Sequence, residues 1–302
     1  MPIISENFKI RPRHNWYSKI IRKIYKIRVE MTKPRNPIPD KDIRQKAEKE
    51  GRLVIQIPFG GLGDHLSYSS LPELLLKQKN IKTFISNKSV FDSKAILDFV
   101  WKLNPYVEFT DEYGWFTYEL LESNFTTMDK YFQNLFGLEV NGLPKVYYKP
   151  KLIEELKNSV IVNPSFGPSG KANGYFDPQF QQKYIDYLKG IEDNFVMLAS
   201  THLRKKNCLE KKVKKYLSPA VYKIETIEDL ANALFSAKQR YLMYTGSASL
   251  AAALRLPSTV LCNKKSCPFF QYSTNNYIDL MKTNLPPVSS SSRHPENRSC
   301  AV

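Results

Sequence analysis

Apolar positions organise this chain only after its first fifty residues. Residues 52–59 (RLVIQIPF) form a short, nearly continuous apolar run, the pattern of a buried strand, which Gly60, Gly61 and Gly63 end. From there to Lys77 the apolar residues recur at helical spacing, with Pro72 expected to kink the helix. Strand, glycine turn and helix open an α/β unit. The alternation continues with a strand at 82–86, a helix at 92–103 and a strand at 107–110, after which the aromatic-rich residues 113–138 show no clear period. Pro144 and Pro150, on either side of Val146, Tyr147 and Tyr148, mark the boundary to a second unit.

That unit alternates more regularly. Strands are predicted at 159–165, 194–200, 221–225, 241–246 and 258–262, and helices at 178–190, 210–217, 227–237 and 247–254. Five strands with four intervening helices predict a parallel, doubly wound sheet. The expected architecture is α/β, with two Rossmann-like units and a cleft onto which the carboxyl ends of both sheets face. The division is an extension and linker at 1–50, units at 51–150 and 151–285, and an aperiodic tail at 286–302 expected to be disordered. Within the linker, a short exposed helix is expected before residue 51.

Charge changes the picture at one end. The 302 residues carry a formal net charge of +16, and residues 1–50 hold 14 Lys or Arg against 6 Asp or Glu. Between residues 14 and 31, Trp16, Ile20, Ile24 and Ile27 fall on one helical face with Tyr17, Ile21 and Tyr25 beside them, while Lys19, Arg22, Lys23, Lys26 and Arg28 fill the rest. Such a basic amphipathic helix suits an anionic membrane surface; packing on the protein's own body is the other reading. No zinc-finger, RNP-like or basic-zipper pattern is present, so no specific nucleic-acid partner is expected. No apolar run approaches the ~20 residues of a membrane span, and no secretory pattern opens the chain, so a cytoplasmic location is expected, peripheral on the inner face of the plasma membrane if the helix binds lipid. Four cysteines suggest neither a disulfide scaffold nor, with only Cys262 and Cys267 close together, a zinc site.

Three loops follow predicted strands. The first, Gly60 to Leu66 (GGLGDHL), lacks the third glycine of a dinucleotide fingerprint, and the next strand ends in Ser86 and Asn87 without the acidic ribose ligand, which disfavours NAD. Asp64 there is either a helix cap or a general base kept ionised by the helix dipole. His65 either lines the cleft beside it or packs elsewhere. The second loop, residues 163–171 (NPSFGPSGK), is no Walker A because Ser165 and Ala172 occupy required positions. Its small residues and Lys171 suit a phosphate contact, and an exposed turn suits them equally. The third, residues 244–254 (YTGSASLAAAL), runs a strand end into a helix whose first amides and hydroxyls make an anion site.

The first and third loops, with Pro257 after the latter, resemble glycosyltransferase family 9, the ADP-heptose:lipopolysaccharide heptosyltransferases, over roughly residues 52–265. The resemblance implies a GT-B fold and an inverting, metal-independent transfer from a nucleotide-diphosphate sugar to a glycan or glycolipid hydroxyl, with no cofactor. It implies Asp64 as catalytic base, Lys171, Thr245, Gly246, Ser247 and Ser249 as donor-binding residues, and Gly61, Gly63 and His65 on the acceptor side or lining the cleft. The chain departs from the family at Tyr244, where an aspartate is usual, and at Ser249, where a histidine is usual. A fucosyltransferase-like GT-B enzyme, which also opens with a GGLG turn, and a non-catalytic nucleotide-sugar or glycan-binding module are the alternatives.

Overall fold

The computed structural model of the chain describes residues 9–10, 40–115, 128–139, 142–167, 173–191, 194–200, 208–263 and 270–282. The basic segment 14–31, Lys171 and the tail from 286 lie outside the described residues.

In the first unit α1 (Asp40–Glu50) leads into β1 (Arg52–Ile55), followed by α2 (Leu62–Tyr68), α3 (Leu71–Lys79), β2 (Lys82–Ser86), α4 (Lys94–Ile96, continuing as the π-helix Leu97–Lys102), β3 (Val107–Thr110) and α5 (Met128–Leu135). The strands pair in parallel in the order β1-β2-β3, and Trp115 bridges β1 at Ile55. Three local expectations change. The linker helix α1 is not simply exposed, because Ile43 and Ala47 are buried in the same core as Leu53. Strand β1 ends at Ile55, three residues before Pro58, which has no N–H for a ladder; Ile57 stays fully buried, its N–H donated to Ser89 Oγ (3.1 Å) and its carbonyl accepting from Val90 N–H (2.9 Å). The helix through Pro72 is broken rather than kinked: proline sits in the first turn of α3, and both the N–H and hydroxyl of Ser69 turn back to the Leu66 carbonyl (3.1 and 2.7 Å).

The second unit comprises β4 (Val160–Asn163), α6 (Pro178–Lys189), β5 (Phe195–Ser200), α7 (Cys208–Leu217), β6 (Ala220–Ile224), α8 (Ile227–Ser236), β7 (Gln239–Met243), α9 (Gly246–Ala253), β8 (Ser258–Cys262) and β9 (Asn275–Asp279). All six strands are parallel in the order β9-β8-β7-β4-β5-β6. By order of appearance in the unit this is 6-5-4-1-2-3, the doubly wound arrangement. Strand β9, absent from the sequence reading, is a half-exposed edge whose NNYID has only two apolar residues. Two helix starts of this unit are capped by side chains: Asp177 accepts from Gln179 N–H (2.9 Å), and Thr226 with Asp229 forms a reciprocal capping box. No helix among the described residues is long and apolar enough to cross a membrane.

One core runs through both units. Leu53, Leu66 and Phe99 of the first unit belong to the same buried cluster as Leu234, Leu250 and Ala251 of the second. An extended strap, residues 142–153, ties them along one side. At its start Glu73 of α3 accepts from Lys77 Nζ (2.6 Å), Tyr147 Oη (2.8 Å) and Lys145 Nζ. Burial pushes the Glu73 carboxyl up, but these donors outweigh it and hold its pKa at about 2. Further along, Arg255 Nη1 donates to the Pro144 carbonyl (2.9 Å), and Asn232 Oδ1 of α8 accepts from Tyr148 Oη (3.0 Å) and Lys151 N–H (2.8 Å).

Candidate functional site

In the second sheet β4 and β7 are neighbours, and it is between them that the strand order reverses. Loops leaving the carboxyl ends of such strands splay apart and open a crevice. The second and third candidate loops leave these two strand ends. In the second, Asn163 Oδ1 accepts from Ser165 N–H (3.0 Å), an Asx turn that closes the chain back on itself. Ser165 is buried, and its Oγ has no hydrogen-bond partner among the described residues. That hydroxyl was legible in the sequence only as one small residue of the loop; its buried, unpaired state depends on the turn.

In the third loop Thr245 is the N-cap of α9 with extended backbone (φ −150°, ψ −174°), yet its side chain does not cap the helix. Thr245 Oγ1 instead lies 3.0 Å from Ser247 Oγ. The first amides of α9 are thereby left for an incoming acceptor. Ser247 and Ser249 are buried. Tyr244, where the resembled family has an acid, turns inward: its carbonyl accepts from Tyr175 Oη (3.2 Å), its hydroxyl accepts from Phe270 N–H (2.9 Å), and its ring meets Tyr277 edge-on.

The first loop comes from the other unit and meets this helix start. Gly61 is the N-cap of α2, so Asp64 stands at the third helical position and is not itself the N-cap. Its Oδ2 accepts from Gly61 N–H (3.1 Å), the backward half of a capping box. A Cβ on Gly61 would lie 2.7 Å from that oxygen, so the carboxylate folds over the glycine. Asp64 is half-buried. Alongside, a Cβ on Gly63 would stand 3.4 Å from Ser249 Oγ and 3.6 Å from Gly246 Cα, while one on Gly246 would stand 3.1 Å from Leu62 Cβ and 3.2 Å from Gly63 N. The starts of α2 and α9 therefore touch through glycines, which puts Gly61, Gly63, Asp64, Gly246 and Ser249 in one neighbourhood.

His65 is a correction. It lines no cleft, being fully buried, stacked on Phe91 with ring centroids 4.4 Å apart. Its Nδ1 accepts from Trp101 Nε1–H (2.8 Å), and because indole can only donate, the ring proton must be on Nε2, which donates to the Val90 carbonyl (2.8 Å). Desolvation drives its pKa from 6.5 down to about 4, against the weaker upward pull of the Val90 bond. The histidine fixes α2 to α4 as a neutral core group. Lys171 lies outside the described residues, and so does its relation to these loops.

Two outcomes follow for stability. Gly246→Ala pushes α2 and α9 apart and lowers unfolding free energy by about 1–3 kcal/mol, whereas Gly167→Ala, with nothing within 4 Å of its new Cβ, changes it by less than about 0.5 kcal/mol; urea denaturation of both checks this. For His65 the unfolded chain binds the proton first, so stability is full above pH 6.5, declines as pH falls from 6.5 to about 4, and levels below, a loss of about 3 kcal/mol. His65→Gln removes that segment of the pH profile.

No family model matches the chain, and no curated protein is similar to it. Solved structures are. One is the iron-containing dodecameric glycosyltransferase TibC from enterotoxigenic E. coli H10407, at 13% identity and a TM-score of 0.50, covering 74% of this chain and 61% of that one. A second is the heptosyltransferase TibC in complex with ADP-D-beta-D-heptose, at 15% identity and a TM-score of 0.51 with the same coverage. A glycosyl transferase family 9 structure from Veillonella parvula DSM 2008 aligns at 12% identity and a TM-score of 0.49, covering 76% of this chain and 85% of that one. The chain thus spans 61% of the length of TibC. Among the described residues no three His, Cys, Asp or Glu side chains gather to hold a metal. The likeness establishes the fold: two parallel-sheet α/β units in the GT-B arrangement of heptosyltransferases.

Proposed function

We propose that the chain is a glycosyltransferase that moves a sugar, heptose or a related one, from a nucleotide-diphosphate donor to a hydroxyl of a cell-surface glycan or lipooligosaccharide. The observation that carries this reading is the contact of the Asp64 helix start with the uncapped start of α9 across the two units. A carboxylate from one unit and an anion-binding helix terminus from the other then flank a common crevice.

The chemistry assigned to these groups is an in-line displacement with inversion. The donor's diphosphate rests at the amides of Gly246 and Ser247, with hydroxyls of Thr245, Ser247 and Ser165 in reach, Ser249 at the deep end and Lys171 supplying the cation. The acceptor oxygen attacks the anomeric carbon from the face opposite the diphosphate. Asp64 takes the hydroxyl proton as the new C–O bond forms, and the C–O bond to phosphate breaks with its electron pair leaving on the nucleoside diphosphate. In this reading no metal or cofactor takes part. Gly61 and Gly63 let the acceptor's ring approach the backbone beside the base. The role of 14–31 as a peripheral membrane anchor at the cytoplasmic face belongs to the same proposal and suits a lipid-linked acceptor.

The test is release of nucleoside diphosphate from ADP-, GDP- and UDP-sugars by Asp64→Asn and the unsubstituted chain, with a chelator present. Asparagine retains an oxygen that accepts from Gly61 N–H, so the helix start survives while the base is lost. Turnover is expected to fall by about 10²–10⁴-fold with nucleotide affinity unchanged. Turnover that survives Asp64→Asn contradicts the assignment of the base, and a donor bound but never cleaved turns the reading to a binding module. Cleavage of a GDP-sugar in place of an ADP-sugar turns it to the fucosyltransferase-like alternative.

A further inference from the structure

Phe59 is 51% exposed, yet the backbone on both sides of it is pinned. In front of it Ile57 is fully buried, with its N–H on Ser89 Oγ (3.1 Å) and its carbonyl on Val90 N–H (2.9 Å). Behind it Gly60 is buried, and its carbonyl accepts from Asp92 N–H (2.8 Å). Pro58 fixes one more dihedral between these anchors. The ring is therefore presented to solvent by a fixed backbone rather than left out by a loose loop, and the fold forgoes the gain from burying it.

Two carboxylates close on the glycines that follow this ring. A Cβ on Gly60 would lie 2.7 Å from Asp92 Oδ1, as one on Gly61 would lie 2.7 Å from Asp64 Oδ2. Phe59, Asp92 and Asp64 are thus gathered around the consecutive residues of one turn, at the carboxyl end of β1. Asp92 and Asp64 are both half-buried. Lys94, two residues beyond Asp92, donates to Asp98.

A sugar ring has C–H groups on its faces and hydroxyls around its edge. The faces suit an aromatic ring, and the hydroxyls donate to carboxylates. An acyl chain would use Phe59 and gain nothing from the two acids, while a phosphate or carboxylate on the ring would be repelled by them. We propose that Phe59 is the stacking platform and Asp92 the hydroxyl-binding group for the acceptor, which presents an uncharged sugar ring to Asp64. This rests on the sugar-transfer reading and adds the class of the acceptor's reacting end. It also gives the turn a second use: Gly60 and Gly61 admit the carboxylates, and their lack of side chains leaves the ring face of Phe59 open to a saccharide.

Saturation-transfer NMR on the full chain with ADP present tests this, with the methyl glycosides of glucose and mannose as probes beside the same sugars phosphorylated on the primary hydroxyl. The unsubstituted chain is expected to pass saturation to the ring C–H protons of a neutral glycoside and not to its phosphorylated counterpart. Phe59→Ala should abolish the transfer and Phe59→Tyr retain it. Asp92→Asn should weaken glycoside binding by about tenfold and leave ADP affinity unchanged. All three variants should melt at the temperature of the unsubstituted chain, since Phe59 is exposed and asparagine keeps the shape of the aspartate. Silence toward every neutral glycoside, an undiminished signal from Phe59→Ala, or a stronger signal from the phosphorylated sugars overturns the proposal. A chain that binds ADP but no glycoside sinks this assignment alone. A chain that binds glycosides through Phe59 yet cleaves no nucleotide sugar supports the saccharide site and overturns the transfer reading.

Discussion

Two helix starts from different units touch in this fold because glycine stands on each where their backbones meet. Gly63 and Gly246 face each other so closely that a methyl group on Gly246 would press on Leu62 and the Gly63 amide. Everything proposed for the crevice depends on that approach. If α2 and α9 stood a side chain further apart, Asp64 and the open amides of α9 would belong to two separate surfaces. The packing that holds them together is ordinary: Ala251 and Ala253 of α9 are buried in the same core as Leu53 and Leu66, and small residues let the helix lie close.

The electrostatics sort themselves around this contact. His65, next in sequence to Asp64, is kept neutral by burial and locked by Trp101 and Val90, so it places no charge beside the carboxylate. Away from the crevice, Glu73 stays ionised because three donors converge on it, and in doing so it fastens the strap that leads from α3 to α8. Lys77 and Lys145 are themselves exposed, so each ion pair adds little to stability, and what the cluster does is hold the start of the strap against α3.

Much of this was legible in the sequence, for physical reasons. Parallel strands buried on both faces write continuous apolar runs such as VIV in β4 and VMLA in β5, and the glycines after β1 announce a backbone that must turn tightly. The doubly wound order placed the second and third loops at one crevice once the strands were assigned. What stayed hidden depends on distant partners. The burial of His65 needs Trp101, 36 residues away, and the inward turn of Tyr244 needs the Phe270 amide. Strand β9 is half-exposed and too polar to declare itself, and the π-helix Leu97–Lys102 has the same apolar content as an α-helix. Asp64 as third residue rather than N-cap is a register difference of three residues, which spacing alone does not settle.

The central claim is that a nucleoside diphosphate binds at the start of α9, opposite Asp64. A crystal structure of the chain with ADP, the nucleotide of the donor held by the structurally similar TibC complex, tests it most directly. The terminal phosphate is expected on the Gly246 and Ser247 amides, with Ser165 Oγ donating to it and Asp64 across the crevice facing the open side of that phosphate. A nucleotide seated elsewhere, on the lysines of α7 for example, with the α9 terminus untouched, would contradict it.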